Sequence, residues 1–325
     1  MIFLYIFIPV AIFLLAAVLM TSYICFLKIF RANRDKHKLD EEGYPILEGR
    51  VYDAYREQIR EWIKETRATP HRKVSITSFD GLTLRGKYYE HKKGAPIEIL
   101  FHGYQGSGER DLCGAVMRCF ALGRNALIVD HRGSGESEGD IVTFGINESR
   151  DCADWVRFTI DHIDKDAKII ITGISMGAAT VMIAAGTELP ENVVGALADC
   201  GYTSAKEIIM TVMKKMGLPP RLLYPFARLG GRIFGHFDVD ETSPIESLKH
   251  AKIPVLFIHG DDDRYVPYDM SVKNHAVCTS HKKLITVHGA GHGLAYPADV
   301  ATYLKEVGEF FEPILNENNK NKGEM

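Results

Sequence analysis

The sequence has no cysteine framework. Its six cysteines (Cys25, Cys113, Cys119, Cys152, Cys200 and Cys278) are scattered through 325 residues without a CxxC pair. That excludes a disulfide scaffold and a zinc ribbon and points to a reducing compartment. An excess of one charge is also missing. Thirty-nine Lys and Arg stand against 42 Asp and Glu, a net charge of −3, whereas a dedicated nucleic-acid binder is clearly basic. No short internal repeat is visible, and no HExxH is present. Gly133-Ser134-Gly135 lacks the third glycine of a dinucleotide fingerprint. Gly81 to Lys87 has P-loop spacing, but Tyr88 stands where Ser or Thr is required. We therefore expect no cofactor, no metal and no nucleic-acid partner. What is present is an ordinary globular composition, 46% hydrophobic and 25% charged, which excludes a disordered chain. The length suits one large domain with an appendage, or two small domains.

Charge is also absent locally. Residues 1–27 carry none and are nearly all apolar, with Tyr5 and Tyr23 towards the two ends. As a helix this stretch is roughly 40 Å long, enough to cross a hydrocarbon core of ~30 Å with some tilt; Pro9 is a candidate kink. A cleaved signal peptide fits less well, because no basic segment precedes the apolar run and no small-x-small cleavage site follows. Cys25 follows Tyr23 and Ile24 rather than the small residues of a lipoprotein signal. The expectation is a transmembrane anchor over 1–27, with the lipid bilayer as its partner. Lys28, Arg31, Arg34, Lys36 and Lys38 follow directly, and the positive-inside bias puts them and the body in the cytoplasm. The same cluster also suits anionic headgroups. Residues 28–72 read as a basic juxtamembrane segment and an N-terminal helix, with Val51, Tyr55, Ile59, Trp62 and Ile63 at helical spacing. Residues 316–325 are Asn- and Lys-rich and read as a frayed tail.

From residue 73 the pattern becomes regular. Lys73–Phe79 and Leu82–Glu90 flank Asp80-Gly81, a hairpin signal. Apolar runs then follow at Ile97–Phe101, Ala126–Asp130, Ile169–Thr172, Val193–Ala198, Val255–His259 and Leu284–Val287. Helical stretches separate them near 108–122, 146–163, 176–187, 269–278 and 297–312. Continuous apolar strands suit a parallel sheet covered on both faces, so the body, 73–315, reads as an α/β sandwich with an antiparallel start. Residues 203–250 interrupt the alternation with helical patches broken by Pro219-Pro220 and Gly230-Gly231, and read as a cap inserted over the sheet's carboxyl edge. Its apolar residues (Ile208, Met213, Leu222, Leu223, Phe226, Ile233, Phe234) are candidates to line an acyl pocket, although such spacing more often means packing.

One strand runs straight into chemistry. Lys168–Thr172 leads to Gly173-Ile174-Ser175-Met176-Gly177, followed by a helix of small residues. This is G-x-S-x-G in strand–turn–helix context. The turn forces Ser175 into a strained conformation, the flanking glycines leave room for neighbouring chains, and the helix N-terminus favours developing negative charge. A serine hydroxyl needs a base, and His292, in the flexible Gly289-Ala290-Gly291-His292-Gly293 loop after the last strand, is the candidate. His288 is the competitor, but as the end of a strand it is expected on the packed side. The orienting acid belongs after the penultimate strand, where Asp261, Asp262 and Asp263 are consecutive; Asp199 is a fourth candidate, and spacing alone does not choose among them. Two backbone N–H groups are needed for the oxyanion. Met176 supplies one, and Tyr104, in His102-Gly103-Tyr104-Gln105-Gly106-Ser107-Gly108, supplies the other, its side chain towards the pocket. His102 reads as a structural hydrogen-bonder.

Taken together, HGYQGSG (102–108), DHRGSGESEG (130–139), GISMG (173–177), HGDDDRYVP (259–267) and GAGHG (289–293), in this order, resemble the α/β-hydrolase superfamily. The resemblance covers roughly residues 73–312. Within the superfamily the chain is similar to membrane-anchored BEM46-like serine hydrolases and to serine aminopeptidase-like, prolyl-oligopeptidase-like proteins. The resemblance implies an α/β-hydrolase fold, a mostly parallel sheet with helices on both faces, and a triad whose acid falls on Asp263. It also implies a structural role for Asp130, Arg132, Gly133, Gly135 and Ser137, with Arg132 bracing the loop near the site. The expected activity is a serine esterase or thioesterase acting on a small-molecule or lipid-like acyl substrate. The alternative is an aminopeptidase on the same triad, which needs an acidic anchor for the substrate amine; Glu109, Glu136 and Glu138 are the nearby acids, and solvated roles suit them better. A non-catalytic binding module is a third reading, opposed by the intact Ser175, Asp263 and His292.

Overall fold

The computed structural model describes residues 2–33, 39–45, 49–112 and 114–320. Arg34, Lys36 and Lys38 of the basic cluster, Cys113, and residues 321–325 of the tail lie outside the described residues. In chain order the elements are α1 (Ile2–Ile29), a 3-10 turn at Arg50–Tyr52, α2 (Arg56–Ala68), β1 (Arg72–Thr77), β2 (Thr83–Tyr89), β3 (Ile97–Phe101), α3 (Gly108–Asp111) and α4 (Ala115–Ala121). There follow β4 (Asn125–Val129), α5 (Ile146–His162), β5 (Ile169–Ile174), α6 (Met176–Ala185), β6 (Val193–Asp199), α7 (Ala205–Lys215), α8 (Pro220–Phe234) and α9 (Pro244–Ser247). The last are β7 (Val255–Gly260), α10 (Asp269–Val277), β8 (Lys282–Val287), α11 (Ala295–Ala298) and α12 (Val300–Lys320).

The eight described strands form one sheet in the order β1-β2-β4-β3-β5-β6-β7-β8. β1 and β2 pair antiparallel across the Asp80-Gly81 turn, and β2 is antiparallel to β4. Every remaining pair is parallel. Burial on both faces explains the continuous apolar strands. In β3, Ile97, Ile99 and Phe101 face the layer containing Trp155, Val156, Val181 and Met182, while Leu100 faces Val116 and Cys119 of α4. Burying each such side chain contributes about 1.5–3 kcal/mol. The polar member of the strand, Glu98, is fully buried and is tolerated because it is paired with both Arg118 and Arg124.

Two expected helices are each divided. The 108–122 stretch holds α3 and α4 as two described helices, and Trp62 of α2 packs against Gly114, where a Cβ would lie 2.7 Å from its ring. The 297–312 stretch is α11 and α12, and α12 continues to Lys320, beyond Asn316, where fraying was expected.

A separate apolar cluster surrounds the C-terminal end of α1. Phe26 and Phe30 are buried with Phe144, Tyr202, Ile208, Met213 and Phe237. α1 continues through Pro9, and α8 continues through Gly230-Gly231, which lies where α1 crosses it: a Cβ on Gly230 would lie 2.3 Å from the Ser22 carbonyl oxygen. Tyr23 meets Phe234 edge-on at 4.9 Å, and Phe30 meets Phe237 at 5.1 Å. By contrast, Ile6, Phe7, Ile12, Phe13 and Leu15 are exposed. Among the described residues, Ile6–Ile29 is the helix long and apolar enough to cross a membrane.

Candidate active site

Ser175 sits between β5 and α6 with φ 56° and ψ −112°, a conformation that costs a non-glycine residue of order 1–3 kcal/mol. The two glycines of the motif make it possible. A Cβ on Gly173 would lie 2.0 Å from the Gly177 carbonyl oxygen, and one on Gly177 would lie 2.0 Å from that of Phe101. The Ser175 N–H donates to the Asp199 carbonyl (2.8 Å), fixing the turn to the end of β6.

The loop after β8 returns over the sheet edge. Its approach to β7 depends on Gly260, whose Cβ would lie 2.1 Å from the Ala290 carbonyl oxygen. His292 Nε2 is 3.0 Å from Ser175 Oγ, and His292 Nδ1 is 2.7 Å from Asp263 Oδ2. A carboxylate only accepts, so Nδ1–H donates to Asp263 and Nε2 accepts from the serine hydroxyl. The geometry brings together Ser175, His292 and Asp263, and it separates the other acids from them. Asp261 accepts from the exposed His288 (2.7 Å), Asp262 pairs with Arg264 at the surface, and Asp199 accepts from Tyr303 (3.0 Å). The expectation that His288 faces the packed side is overturned: it follows the last residue of β8, and its side chain is 87% exposed.

Asp263 is held by more than His292. His259 Nε2–H donates to Oδ2 (3.1 Å), and the Tyr265 and Val266 N–H groups donate to Oδ1 (2.8 and 2.9 Å). Burial alone would raise its pKa, but the hydrogen bonds from His259 and His292 hold the carboxyl well below the usual range. His259 was not singled out in the sequence; its place four residues before the acid is the one available hint. Cys200, Asp263 and His292 also bring ligand-type atoms within 4.8 Å of one another. The set fits a cation poorly. Both Asp263 oxygens already accept N–H bonds, and burial raises the Cys200 thiol pKa, against the thiolate a metal requires.

Gly103 to Gly106 form a turn closed by the Gly106 N–H to the Gly103 carbonyl (3.1 Å), with Gln105 at φ 48°. Tyr104 is its second residue. Met176 opens α6, where the first N–H groups have no acceptor within the helix. The Tyr104 hydroxyl donates to the Ile29 carbonyl at the end of α1 (2.7 Å), and Gln105 Nε2 donates to the Arg31 carbonyl (3.1 Å). The loop is therefore tied to the root of the apolar helix. His102 has the structural place expected: its Nε2 accepts the His131 N–H (3.0 Å) and its Nδ1 donates to the Gly103 carbonyl (2.8 Å). Arg132 braces a neighbouring region, donating to Asp151 of α5 and to Asp80 of the β1–β2 turn. Asp130 accepts the Gly108 and Glu136 N–H groups (both 3.0 Å).

A cavity of about 860 Å³ opens beside Ser175. Leu100, Leu112, Ile174, Trp62 and Tyr296 contribute apolar walls, and Arg50, Val51 and Tyr52 close one side. Arg118, Thr172, Asp199 and Tyr303 bring polar groups to it. None of the seven apolar residues named for the 203–250 segment lines this cavity. Ile208, Met213, Leu223 and Phe234 pack in the cluster around α1, and Leu222 and Ile233 are exposed. Glu109, Glu136 and Glu138 do not line it either. They bond Arg67, Lys73 and the Thr83 N–H.

The fold agrees with comparisons to known proteins. Residues 99–234 match the family model described as alpha/beta hydrolase fold. The chain is 30% identical over 192 residues to protein YqkD of Bacillus subtilis (59% of this chain, 63% of that protein). It is 29% identical over 196 residues to protein bem46 of Schizosaccharomyces pombe (60% of each). The matched part thus spans less than two thirds of either relative. Among solved structures, the Pyrococcus furiosus esterase Pf2001 superposes with a TM-score of 0.61 at 22% identity, covering 77% of this chain and 94% of that one. The chain has the α/β-hydrolase fold, and the solved structures that share this fold include esterases. In sequence the chain is similar to bem46 and YqkD over the matched part.

Proposed function

We propose that the protein is a membrane-anchored serine hydrolase that cleaves carboxylic ester or thioester bonds through an acyl-enzyme. The observation that carries the reading is the unbroken hydrogen-bonded chain from Ser175 Oγ through His292 to Asp263. Ser175 Oγ attacks the acyl carbonyl carbon as its proton passes to His292 Nε2. The oxyanion accepts from the Tyr104 and Met176 N–H groups, a term for which loss of one donor typically costs roughly 3–4 kcal/mol. His292 then protonates the leaving group as the bond to it breaks. In the second half, water attacks the acyl-enzyme, gives its proton to His292, and the acid leaves as Ser175 regains its hydrogen. Asp263 keeps Nδ1–H oriented throughout and faces the imidazolium that forms.

Anchoring by α1 is supported by its length and by its root. Ser22, Phe26 and Phe30 are buried in the body, so removing α1 as a signal would uncover an apolar cluster. The basic residues after it favour a cytoplasmic body. Parallel assays of p-nitrophenyl esters and aminoacyl p-nitroanilides, with wild type and Ser175→Ala in detergent, test the activity. Ester hydrolysis that disappears in the variant is expected. Faster amide than ester turnover would favour the peptidase reading, and full activity in the variant would reject Ser175.

A further inference from the structure

The cavity beside Ser175 has a mixed lining, with apolar walls and charged side chains at several points, and one of its polar ends lies where β6 stops. Asp199 is only 6% exposed and lines the cavity. Its Oδ2 accepts from Tyr303, and among the described residues its Oδ1, fully buried, has no hydrogen-bond partner. Arg118, which also lines the cavity, is in the same position at Nε. A buried polar atom left without a partner costs about 1–3 kcal/mol, so a fold that keeps one acceptor and one donor unpaired beside a substrate-sized cavity has a use for them. Neither is an isolated stray. Arg118 Nη1 lies 3.5 Å from the Tyr303 hydroxyl, which donates to Asp199, and Arg118 itself is paired with Glu98. The groups form one connected network running from the sheet interior to the cavity.

The charges of that network decide what it can recognise. Glu98 and Asp199 oppose Arg118 and Arg124, two of each sign, so the network is already neutral and an incoming cation or anion would unbalance it. A neutral group that donates and accepts fits: it gives a hydrogen to Asp199 Oδ1 and offers lone pairs to the guanidinium side. We propose that this end of the cavity is a specificity subsite for a hydroxyl group carried on the substrate's acyl portion, with Asp199 as the acceptor. The substrate class that follows is a hydroxyacyl ester or thioester, its hydrocarbon lying along Leu100, Ile174 and Trp62, rather than a plain alkyl ester. This rests on Ser175 being the nucleophile and names what that nucleophile acts on. An aliphatic chain of the same size would leave Asp199 Oδ1 and Arg118 Nε unpaired. Sites that bond a substrate hydroxyl reject the isostere lacking it far more strongly than apolar pockets reject an added methylene.

The test uses the full chain in detergent micelles and two isosteric pairs of p-nitrophenyl esters: 3-hydroxybutanoyl against 3-methylbutanoyl, and 6-hydroxyhexanoyl against heptanoyl. A 6-aminohexanoyl ester is the cationic control, and a fluorophosphonate probe reports separately on Ser175. The expected result is a kcat/KM at least tenfold higher for the hydroxyacyl member of one pair, with the aminoacyl ester below it. Asp199→Leu should abolish that ratio, and Tyr303→Phe, which leaves the carboxylate in place, should retain most of it. Wild-type ratios at or below one in both pairs, with the probe still labelling Ser175, would overturn the subsite and leave the hydrolase reading standing. A preference for the aminoacyl ester would replace the hydroxyl with an amine and overturn it equally. No hydrolysis of any ester and no labelling would remove the hydrolase reading and this inference with it.

Discussion

Asp261, Asp262 and Asp263 follow one another in the chain, yet each meets a different neighbour: an exposed histidine, an exposed arginine and the partly buried imidazole of His292. Adjacent carboxylates are equivalent in a sequence because their roles depend on side-chain direction after a strand end. For that reason Ser175 and His292 could be put forward as candidates from motif and position, while the choice of Asp263 needed the family resemblance; the three side chains are hydrogen-bonded to one another. An asparagine at 263 keeps the volume but removes the charge and lets an amide N–H face Nδ1, favouring the wrong tautomer. Steady-state ester hydrolysis by Asp263→Asn is expected to show kcat lowered about 10⁴-fold, as in other triads, with KM little changed; a loss under tenfold would place the orienting role elsewhere. Asp199 titrates in the opposite sense, because burial raises its pKa to about 6. A carboxyl raised above its unfolded value of ~3.9 contributes stability that is fully present below that value and is lost as pH rises through about 6. Asp199→Asn does not undergo that loss. Its stability relative to wild type should therefore increase between pH 4 and pH 8 by ~2–3 kcal/mol, read from melting curves at the two pH values. An offset that does not change with pH would contradict the assignment.

The strand–turn–helix around Ser175 shows what a short motif can encode. Its glycines are required by backbone oxygens 2.0 Å from any added Cβ, and backbone cannot yield as a flexible side chain can. Gly177→Ala is expected to destabilise the protein by about 3 kcal/mol or more and to lose reactivity with a fluorophosphonate in whatever fraction folds. A variant with an unchanged melting temperature would mean that α6 shifts to accommodate it. Amphipathic helices were less legible. The spacing of Ile59, Trp62 and Ile63 correctly marks a packed face on α2, but periodicity says only that a face is covered. That Trp62 packs against Gly114 and walls the cavity is a long-range fact. The 203–250 segment shows the same limit: its apolar positions were visible, and α1 as their partner was not. Likewise Gly230-Gly231 looks like an interruption in sequence and is a site of close helix crossing in space.

At the scale of the whole molecule, the apolar helix is both appendage and core. Residues 2–21 span about 30 Å at 1.5 Å per residue, the thickness of a hydrocarbon layer. The following turns, Ser22 to Phe30, are built into the body and end against the Tyr104 loop. Separating α1 from α8 should therefore disturb the body of the fold. Gly230→Val, whose Cβ would lie 2.3 Å from the Ser22 carbonyl oxygen, is expected to lower the melting temperature and expose 22–33 to protease. Unchanged protection of that stretch would show that the packing of α1 on α8 is dispensable. The claim underlying all of this is that the Ser175 hydroxyl attacks acyl carbonyls with His292 as its base. It is tested most directly by treating the full-length protein with a fluorophosphonate and locating the adduct by peptide mass. A single stoichiometric adduct on Ser175, slowed at least a hundredfold in His292→Ala, is the predicted result; an adduct on another residue, or none on a folded sample, would contradict it.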